Sequence, residues 1–333
     1  MQADEGIARP RNRDNMVGDR MKAKTIKQVL RKLVDDWAAS IEDERVRQIV
    51  KDNAIVTGGA IASMLLREPV NDYDIYFRTR EAVLAVATYY VGRFKGQVAG
   101  SEAREISVRA EEDRIRIVVK SAGIAKEGGT NKPYEYFETR ADGEATQYVS
   151  EVMQDPGAIE DTYEQTEGAA LETKDADKPK YRPVFLSTNA ITLSHKIQLV
   201  LRFYGEPDEI HKNYDYIHCT NYWTAWDDHL ELRKEALTAL LSRELVYVGS
   251  KYPVCSMFRL RKFIKRGWSV NAGQLLKIAM QISALDLTNI ETLQDQLTGV
   301  DCAYFCEVIS KLKDKDPEKV NVAYLVEIIN RMF

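Results

Sequence analysis

The chain has 333 residues, 47 basic and 51 acidic side chains for a formal charge of −4, and 44% hydrophobic residues. That length excludes a peptide-sized module and accommodates two domains with an appendage, and the near-average composition excludes wholesale disorder and fibrous repeats. The negative balance excludes coating nucleic acid with the whole surface, so any such binding needs a local basic patch.

Residues 1–23 are densely charged without periodicity and read as a mobile tail. They contain no apolar signal-peptide region, and no apolar run approaches the roughly 18 residues of a membrane span, so a cytoplasmic protein without membrane contact is expected. Between Thr25 and Ser40 the residues Ile26, Val29, Leu30, Leu33, Val34 and Trp37 recur at helical spacing, which predicts an amphipathic helix. A second short helix is expected from Glu42 to Lys51. The period then changes at Ala54-Ile55-Val56-Thr57, a compact strand ended by Gly58-Gly59. A short helix over Ala60–Leu66 stops at Pro69, and Tyr73, Ile75 and Phe77 alternate with Asp72, Asp74 and Tyr76 as a strand does.

Glu81 to Phe94 returns to a helical period, and Ile106–Val108 and Ile115–Val119 read as two strands around a polar turn. From about Gly123 to Lys180 the pattern fails in an acidic stretch rich in turn formers, which reads as an insertion. Order resumes at Arg182–Leu186, continues through the apolar run Ile197–Phe203, and reaches an alternating run from Tyr214 to Cys219 that reads as a strand. Beyond Leu230 the pattern is helical, with Leu232, Leu237, Leu240, Leu241 and Leu245 on one stripe, a helix from Asn271 to Leu285, a capping box at Thr288 and Glu291, and an N-cap at Asp316 before Pro317. The expected architecture is α+β: a catalytic head over 24–228, carrying the insertion at about 123–180, followed by a helical domain over 229–333. Cys219, Cys255, Cys302 and Cys306 form no C-x-x-C pair, and the four histidines lack zinc spacing, so structural roles are expected for both sets.

The chemistry concentrates in Val56-Thr57-Gly58-Gly59-Ala60-Ile61-Ala62-Ser63 and Asn71-Asp72-Tyr73-Asp74-Ile75-Tyr76-Phe77. Two glycines let the backbone turn sharply and approach a ligand, and the following helix turns amides and a positive dipole end outward, which suits phosphate. Asp72 and Asp74, two apart on a strand, project from one face about 7 Å apart at their Cα atoms and can converge on a divalent cation. Solvent-facing acids on a half-buried strand are the competing explanation for an isolated Asp-x-Asp.

The stretch GGAIASMLLREPVNDYDIYF resembles the head of the DNA polymerase β-type nucleotidyltransferase superfamily, especially its tRNA nucleotidyltransferase and poly(A) polymerase branch. STNAITLSHKIQLVLRFYGEPDEIHKNYDYIHCTNYW and SKYPVCSMFRLRKFIKRGW are similar to phage-encoded nucleotidyltransferase-like proteins, which extends the likeness over about residues 50–300 and implies the host cytoplasm. The resemblance implies that Gly58 and Gly59 seat a triphosphate and that Asp72, Asp74 and a third carboxylate bind two Mg²⁺ ions. Asp215, alternating with Tyr214 and Tyr216, is the candidate for that third ligand; Glu105 and Asp113 are the alternatives, and an ion pair with Lys212 or a backbone amide is its competing role. Two features depart from the tRNA-modifying branch: Ala62-Ser63 stands where an Arg-Asp pair follows the glycines, and the branch's base-reading Glu-Asp and Arg motif is absent. Ser63 is either a phosphate or metal aid or an ordinary helix-surface serine.

A second constellation is Ser250-Lys251-Tyr252 followed by Arg259, Arg261, Lys262, Lys265, Arg266 and Trp268. On a helix Arg259, Lys262 and Arg266 share a face beside an Arg261–Lys265 row. Such a stripe can hold a triphosphate with Lys251, or a polynucleotide acceptor, with Tyr252 or Trp268 stacking on a base; a solvated helix face is the alternative. These readings converge on a Mg²⁺-dependent nucleotidyltransferase that adds NMP from an NTP such as ATP to a hydroxyl, with a tRNA or other RNA 3′ end as first candidate acceptor. The alternatives are a catalytically silent nucleic-acid-binding or assembly protein, and a synthase or an enzyme modifying proteins or small molecules.

Overall fold

The computed structural model describes residues 22–97, 104–112, 114–121, 134–136, 138–140, 179–187, 189–287, 289, 292 and 296. The expected tail up to residue 21, most of the acidic insertion, Asp113, the capping signals at Thr288 and Asp316, and Cys302 and Cys306 lie outside these residues.

Two helices open the described chain, α1 (Ala23–Ala39) and α2 (Glu44–Asn53). Asp43 caps α2 by accepting from the Val46 amide at 3.1 Å, satisfying a donor the helix itself leaves open. Then follow β1 (Ala54–Thr57), α3 (Gly59–Leu66), β2 (Tyr73–Phe77), α4 (Arg80–Gln97), β3 (Arg104–Ala110) and β4 (Ile115–Ser121). After β5 (Tyr134–Tyr136), β6 (Glu138–Arg140), β7 (Pro183–Ser187), β8 (Ala190–Leu193) and β9 (Ile197–Tyr204) come α5 (Pro207–His211) and a 3₁₀ turn (Ile217–Cys219). The hairpin β10 (Tyr222–Thr224) and β11 (His229–Glu231) precedes the helices α6 (Lys234–Ser242), α7 (Pro253–Lys265) and α8 (Ala272–Ser283).

The described strands form an eight-stranded mixed sheet in the order β11-β10-β1-β2-β9-β8-β7-β6 and a three-stranded sheet, β3-β4-β5. In the large sheet β2 and β9 run parallel, with Asp74 opposite Gln198, and β1 lies antiparallel to β2, with Thr57 opposite Asp74. Because side chains alternate across a strand, this register sorts the central residues onto two faces. Ala54, Val56, Ile75, Phe77, Leu199 and Leu201 enter one large core with Ile26, Leu30 and Trp37 of α1 and Tyr90 and Phe94 of α4. Trp37 donates its Nε1–H to the Tyr90 hydroxyl at 2.6 Å, so the indole's polar atom is satisfied inside that core. The opposite face carries Ile55, Tyr76 and Val200 in a smaller cluster with Ile210. Burial on both faces explains why β1 is apolar almost throughout its sequence.

The α+β architecture with a helical C-terminal region is as the sequence indicates. The helices are not insulated from the head: Leu240, Leu245, Tyr247, Leu260, Trp268 and Ile278 belong to the same core as the sheet.

Three local expectations need correction. The run 214–219 is not a strand. Tyr216 makes one isolated bridge to Tyr247, and the 3₁₀ turn follows. Its alternation arises because the chain crosses between two clusters, Tyr214 packing on the Tyr76 face and Tyr216 entering the main core. The leucine stripe also divides: Leu232 and Leu245 lie outside α6, and Leu241 is 56% exposed while Leu240 is buried. Trp268 is not on a stacking surface, because it is buried against His218 with ring centroids 4.2 Å apart.

Candidate functional site

The site forms where β1 ends. Gly58 has φ 89° and ψ −150°, a backbone conformation essentially reserved for glycine, and Gly59 begins α3. The Gly58 amide donates to the Cys219 carbonyl at 3.1 Å, tying the bend to the 3₁₀ turn. Thr57, fully buried just before it, donates its hydroxyl to the Asn221 carbonyl at 2.9 Å and lies 2.8 Å from Nε2 of His211. The hydroxyl proton being used, Nε2 of His211 supplies the hydrogen of the second contact. Burial pulls the His211 pKa down to about 3, with Arg233 adding to the shift, so the ring is neutral. This network fixes the strand end that presents the glycines.

Asp74 lies against the bend. A β-carbon placed on Gly58 would sit 2.7 Å from Asp74 Oδ2, so the absence of a side chain there is what lets the carboxylate occupy its position. Gly58, Gly59 and Asp74 line a cavity of about 210 Å³ running along the second face of the sheet. Its floor is Tyr76 on β2 with Gln198, Val200 and Arg202 on β9. Asn213, Tyr214, Asp215 and Cys219 line it from the segment before β10, and Arg259, Lys262, Phe263 and Arg266 line it from α7 and its C-cap. Asn189, Phe203, Ser250 and Tyr252 complete the lining.

Four cations and two carboxylates therefore share the cavity, a formal surplus of two positive charges. Burial raises the Cys219 thiol pKa, and Asp215 and Asp74 add to the rise, which keeps the thiol protonated. Tyr214 is likewise pushed up by burial, with Tyr76 and Asp74 contributing, and stays a neutral phenol. Burial also lowers the His218 pKa to about 4 against an opposing pull from Asp215. The surroundings of Asp74 and Asp215 are thus held in neutral forms, and the charge of the site resides in its carboxylates, arginines and lysine.

Of the sequence candidates, Gly58, Gly59, Asp74, Asp215, Tyr252, Arg259, Lys262 and Arg266 come together around the cavity. Asp72 lies half-buried just before β2, two residues from Asp74, and is not part of the lining. Ser63 is half-buried on α3; Lys251, Arg261 and Lys265 are exposed, and none of these four lines the cavity.

Asp215 reaches the cavity with its carboxylate already engaged. Oδ2 accepts from Arg259 Nη1 at 2.7 Å, and Oδ1 accepts from the Tyr216 amide at 3.0 Å. Lys212, the ion-pair partner considered from sequence, instead bonds Glu209 at 2.6 Å. On β9, the parallel neighbour of β2, the positions facing the cavity are Gln198, Val200 and Arg202 rather than a carboxylate. Among the described residues no group of three histidine, cysteine, aspartate or glutamate side chains is placed to hold a metal. Asp74 lines the cavity and Asp72 does not, and with Asp215 held by Arg259 the described residues form no ready three-carboxylate site for two ions.

Sequence reasoning missed Asn189, Gln198, Arg202 and Asn213, all of which line the cavity. The available signal was Gln198 and Arg202, spaced by four within an otherwise apolar strand and therefore on one face.

The solved structures that match include the CCA-adding enzyme of Bacillus stearothermophilus in complex with CTP, at 13% identity and a TM-score of 0.33. The match covers 84% of this chain and 50% of that one, so the chain spans half the length of that structure. No curated protein matches significantly. No helix among the described residues is long and apolar enough to cross a membrane. A family model described as Gad2, Gabija anti-defense 2 family protein, matches residues 28–243, which is well over half the sequence and includes the glycine bend, Asp72, Asp74, Arg202 and Asp215: the chain belongs to the Gabija anti-defense 2 family.

Proposed function

We propose that the cavity binds a nucleoside triphosphate and that the protein transfers its nucleoside monophosphate to a hydroxyl, releasing pyrophosphate, with an RNA 3′ end as the first acceptor to test. The observation that carries this reading is the meeting of the Gly58–Gly59 bend and Asp74 with Arg202, Arg259, Lys262 and Arg266 in one cavity. The surplus of two positive charges complements a magnesium-bound triphosphate, whose net charge is about −2. The family's name supports a role in countering Gabija defence, and nucleotidyl transfer is the chemistry proposed for that role.

In this mechanism the amides at the start of α3 and the α7 cations hold the phosphates. Asp72 and Asp74 would hold a magnesium ion, which when bound neutralises charge on the reacting phosphate. Arg259 turns from Asp215 toward the phosphates, and Asp215 then accepts the proton of the attacking hydroxyl. The acceptor oxygen forms a bond to the α-phosphorus as the bond to the bridging oxygen breaks, and Lys262 and Arg266 stabilise the departing pyrophosphate.

The test is incubation with each labelled NTP, Mg²⁺ and an RNA pool, comparing wild type with Asp74→Asn. Label in RNA that disappears in the variant is the expected result. A product formed without added acceptor would identify an oligonucleotide synthase. The Arg259–Asp215 pair and the lack of a β9 carboxylate favour a second reading, a catalytically silent nucleotide-binding protein. That reading wins if nucleotides bind and no acceptor is ever labelled.

A further inference from the structure

Helix α8 turns its polar side to the protein and its apolar side to solvent. Gln274, Ile278 and Gln281 share one stripe facing the body: Gln274 Oε1 accepts from the Tyr247 amide at 2.9 Å, Ile278 is buried, and Gln281 Nε2 donates to the Ser250 carbonyl at 2.6 Å. The other side carries Ala272, Leu275, Leu276, Ala279 and Met280, all exposed, with Leu276 at 60% and Met280 at 64%. A helix face that meets water is normally charged, yet Lys277 is the one charged side chain in the 12 residues of α8. Single exposed leucines are ordinary on a protein surface. Here the large exposed hydrophobic side chains of the described residues all fall between Leu241 and Met280, in the helical region, and such a concentration calls for a covering element.

The chain supplies one close by. Gln296, the last described residue, is buried: its Nε2 donates to the Lys251 carbonyl at 3.0 Å, and its own carbonyl accepts from Cys255 Sγ at 2.9 Å. Lys251 follows Ser250, whose carbonyl holds Gln281, so residues 297–333 set out from beside the C-terminal half of α8. Two runs in that stretch carry apolar residues at helical spacing. Cys302, Phe305, Cys306, Ile309 and Leu312 form the first; Val322, Leu325, Val326, Ile329 and Phe333, beyond the start signal at Asp316 and Pro317, form the second. The second is the fuller stripe, since two of the five positions in the first are cysteines, and as a helix Val322–Phe333 matches α8 in length, about 18 Å. A helix this short is marginal in water without a surface to pack on. We propose that residues 317–333 form a helix that lays this stripe on Leu275, Leu276, Ala279 and Met280, so that the occupant of the α8 face is a segment of the same chain. The inference is independent of what the cavity binds.

The experiment places the photo-cross-linker p-benzoylphenylalanine at Leu276 of the full chain and maps the adducts by peptide mass spectrometry after irradiation. A second probe at Lys32, exposed on α1, is the control. Adducts within one chain on residues 317–333 are expected from position 276 and not from position 32. Ile329→Asp sets a charge in the middle of the stripe and is expected to weaken docking at least about tenfold, the worth of one buried aliphatic side chain, and so to deplete the adduct. Should a substituted chain not fold, carbene labelling of the unaltered protein reads the same cover: Leu276 and Met280 are expected to label several-fold less than Val248, whose exposure is a similar 50%. Adducts joining two chains would put a second copy on the face and overturn the proposal. It is equally overturned by adducts on 302–312 alone, by none beyond Gln296, or by equal capture of 317–333 from position 32. An adduct undiminished by Ile329→Asp, or labelling of Leu276 and Met280 equal to that of Val248, also overturns it.

Discussion

Gly58→Ala separates backbone strain from the close approach of Asp74. The native φ of 89° with ψ of −150° costs an alanine about 1–3 kcal/mol wherever it occurs. A new Cβ would also lie 2.7 Å from Asp74 Oδ2, closer than real Cβ contacts come, so the carboxylate must turn away from the bend. Forcing it aside adds about 1–3 kcal/mol, so the single variant should lose about 2–6 kcal/mol. Asp74→Ala removes the clashing oxygen and leaves the Asp74 Cβ at 3.6 Å, an ordinary contact. In that background Gly58→Ala should cost only the backbone share, giving a coupling energy of about 1–3 kcal/mol. The assay is urea unfolding of the four proteins of the cycle in EDTA. Gly59→Ala serves as a control, because no atom lies within 4 Å of its new Cβ and it starts a helix; its effect should be within about 1 kcal/mol of zero. Equal costs of Gly58→Ala with and without the Asp74 carboxylate would refute the packing of that carboxylate against the bend.

Three further outcomes test other parts of the structure. His211 and His218 have folded pKa values of about 3 and about 4, below the unfolded value of 6.5, so their contribution to stability is complete above pH 6.5 and is lost progressively as the unfolded chain takes up protons. At pH 5, above most carboxylate titration, the loss is about 2 kcal/mol for each histidine; urea midpoints that stay flat from pH 8 to pH 5 would exclude neutral burial of the two rings. Arg259→Gln leaves the Asp215 carboxylate in place without its cation and should cost about 3 kcal/mol. Adding Asp215→Asn should recover part of that in thermal unfolding, and strict additivity of the two changes would argue against the pair. Trp37→Phe strands the buried Tyr90 hydroxyl and should cost about 1–3 kcal/mol in chemical unfolding, with a neutral result counting against the 2.6 Å hydrogen bond.

What was legible in the sequence followed from how local the signal is. Gly58-Gly59 declares a bend because its backbone conformation excludes other residues, and the apolar run before it and the alternation after it are properties of single strands. Helical arithmetic likewise put Arg259, Lys262 and Arg266 on one face, and those three reach the cavity while Arg261 and Lys265 do not. It could not say which row would turn inward, because that depends on how α7 packs against the sheet. The β9 contribution was hidden for the same reason. Within Ile197–Phe203 the pattern reports burial on both sides, and only pairing with β2, more than a hundred residues earlier, turns Gln198 and Arg202 toward Asp74. Asp215 shows the limit most sharply. Alternating tyrosines imitated a strand, whereas its position comes from a crossing between two clusters and its charge is met by an arginine 44 residues later. The glycine bend of the cavity is therefore encoded in a short contiguous motif, and its β9 side is assembled by tertiary contacts.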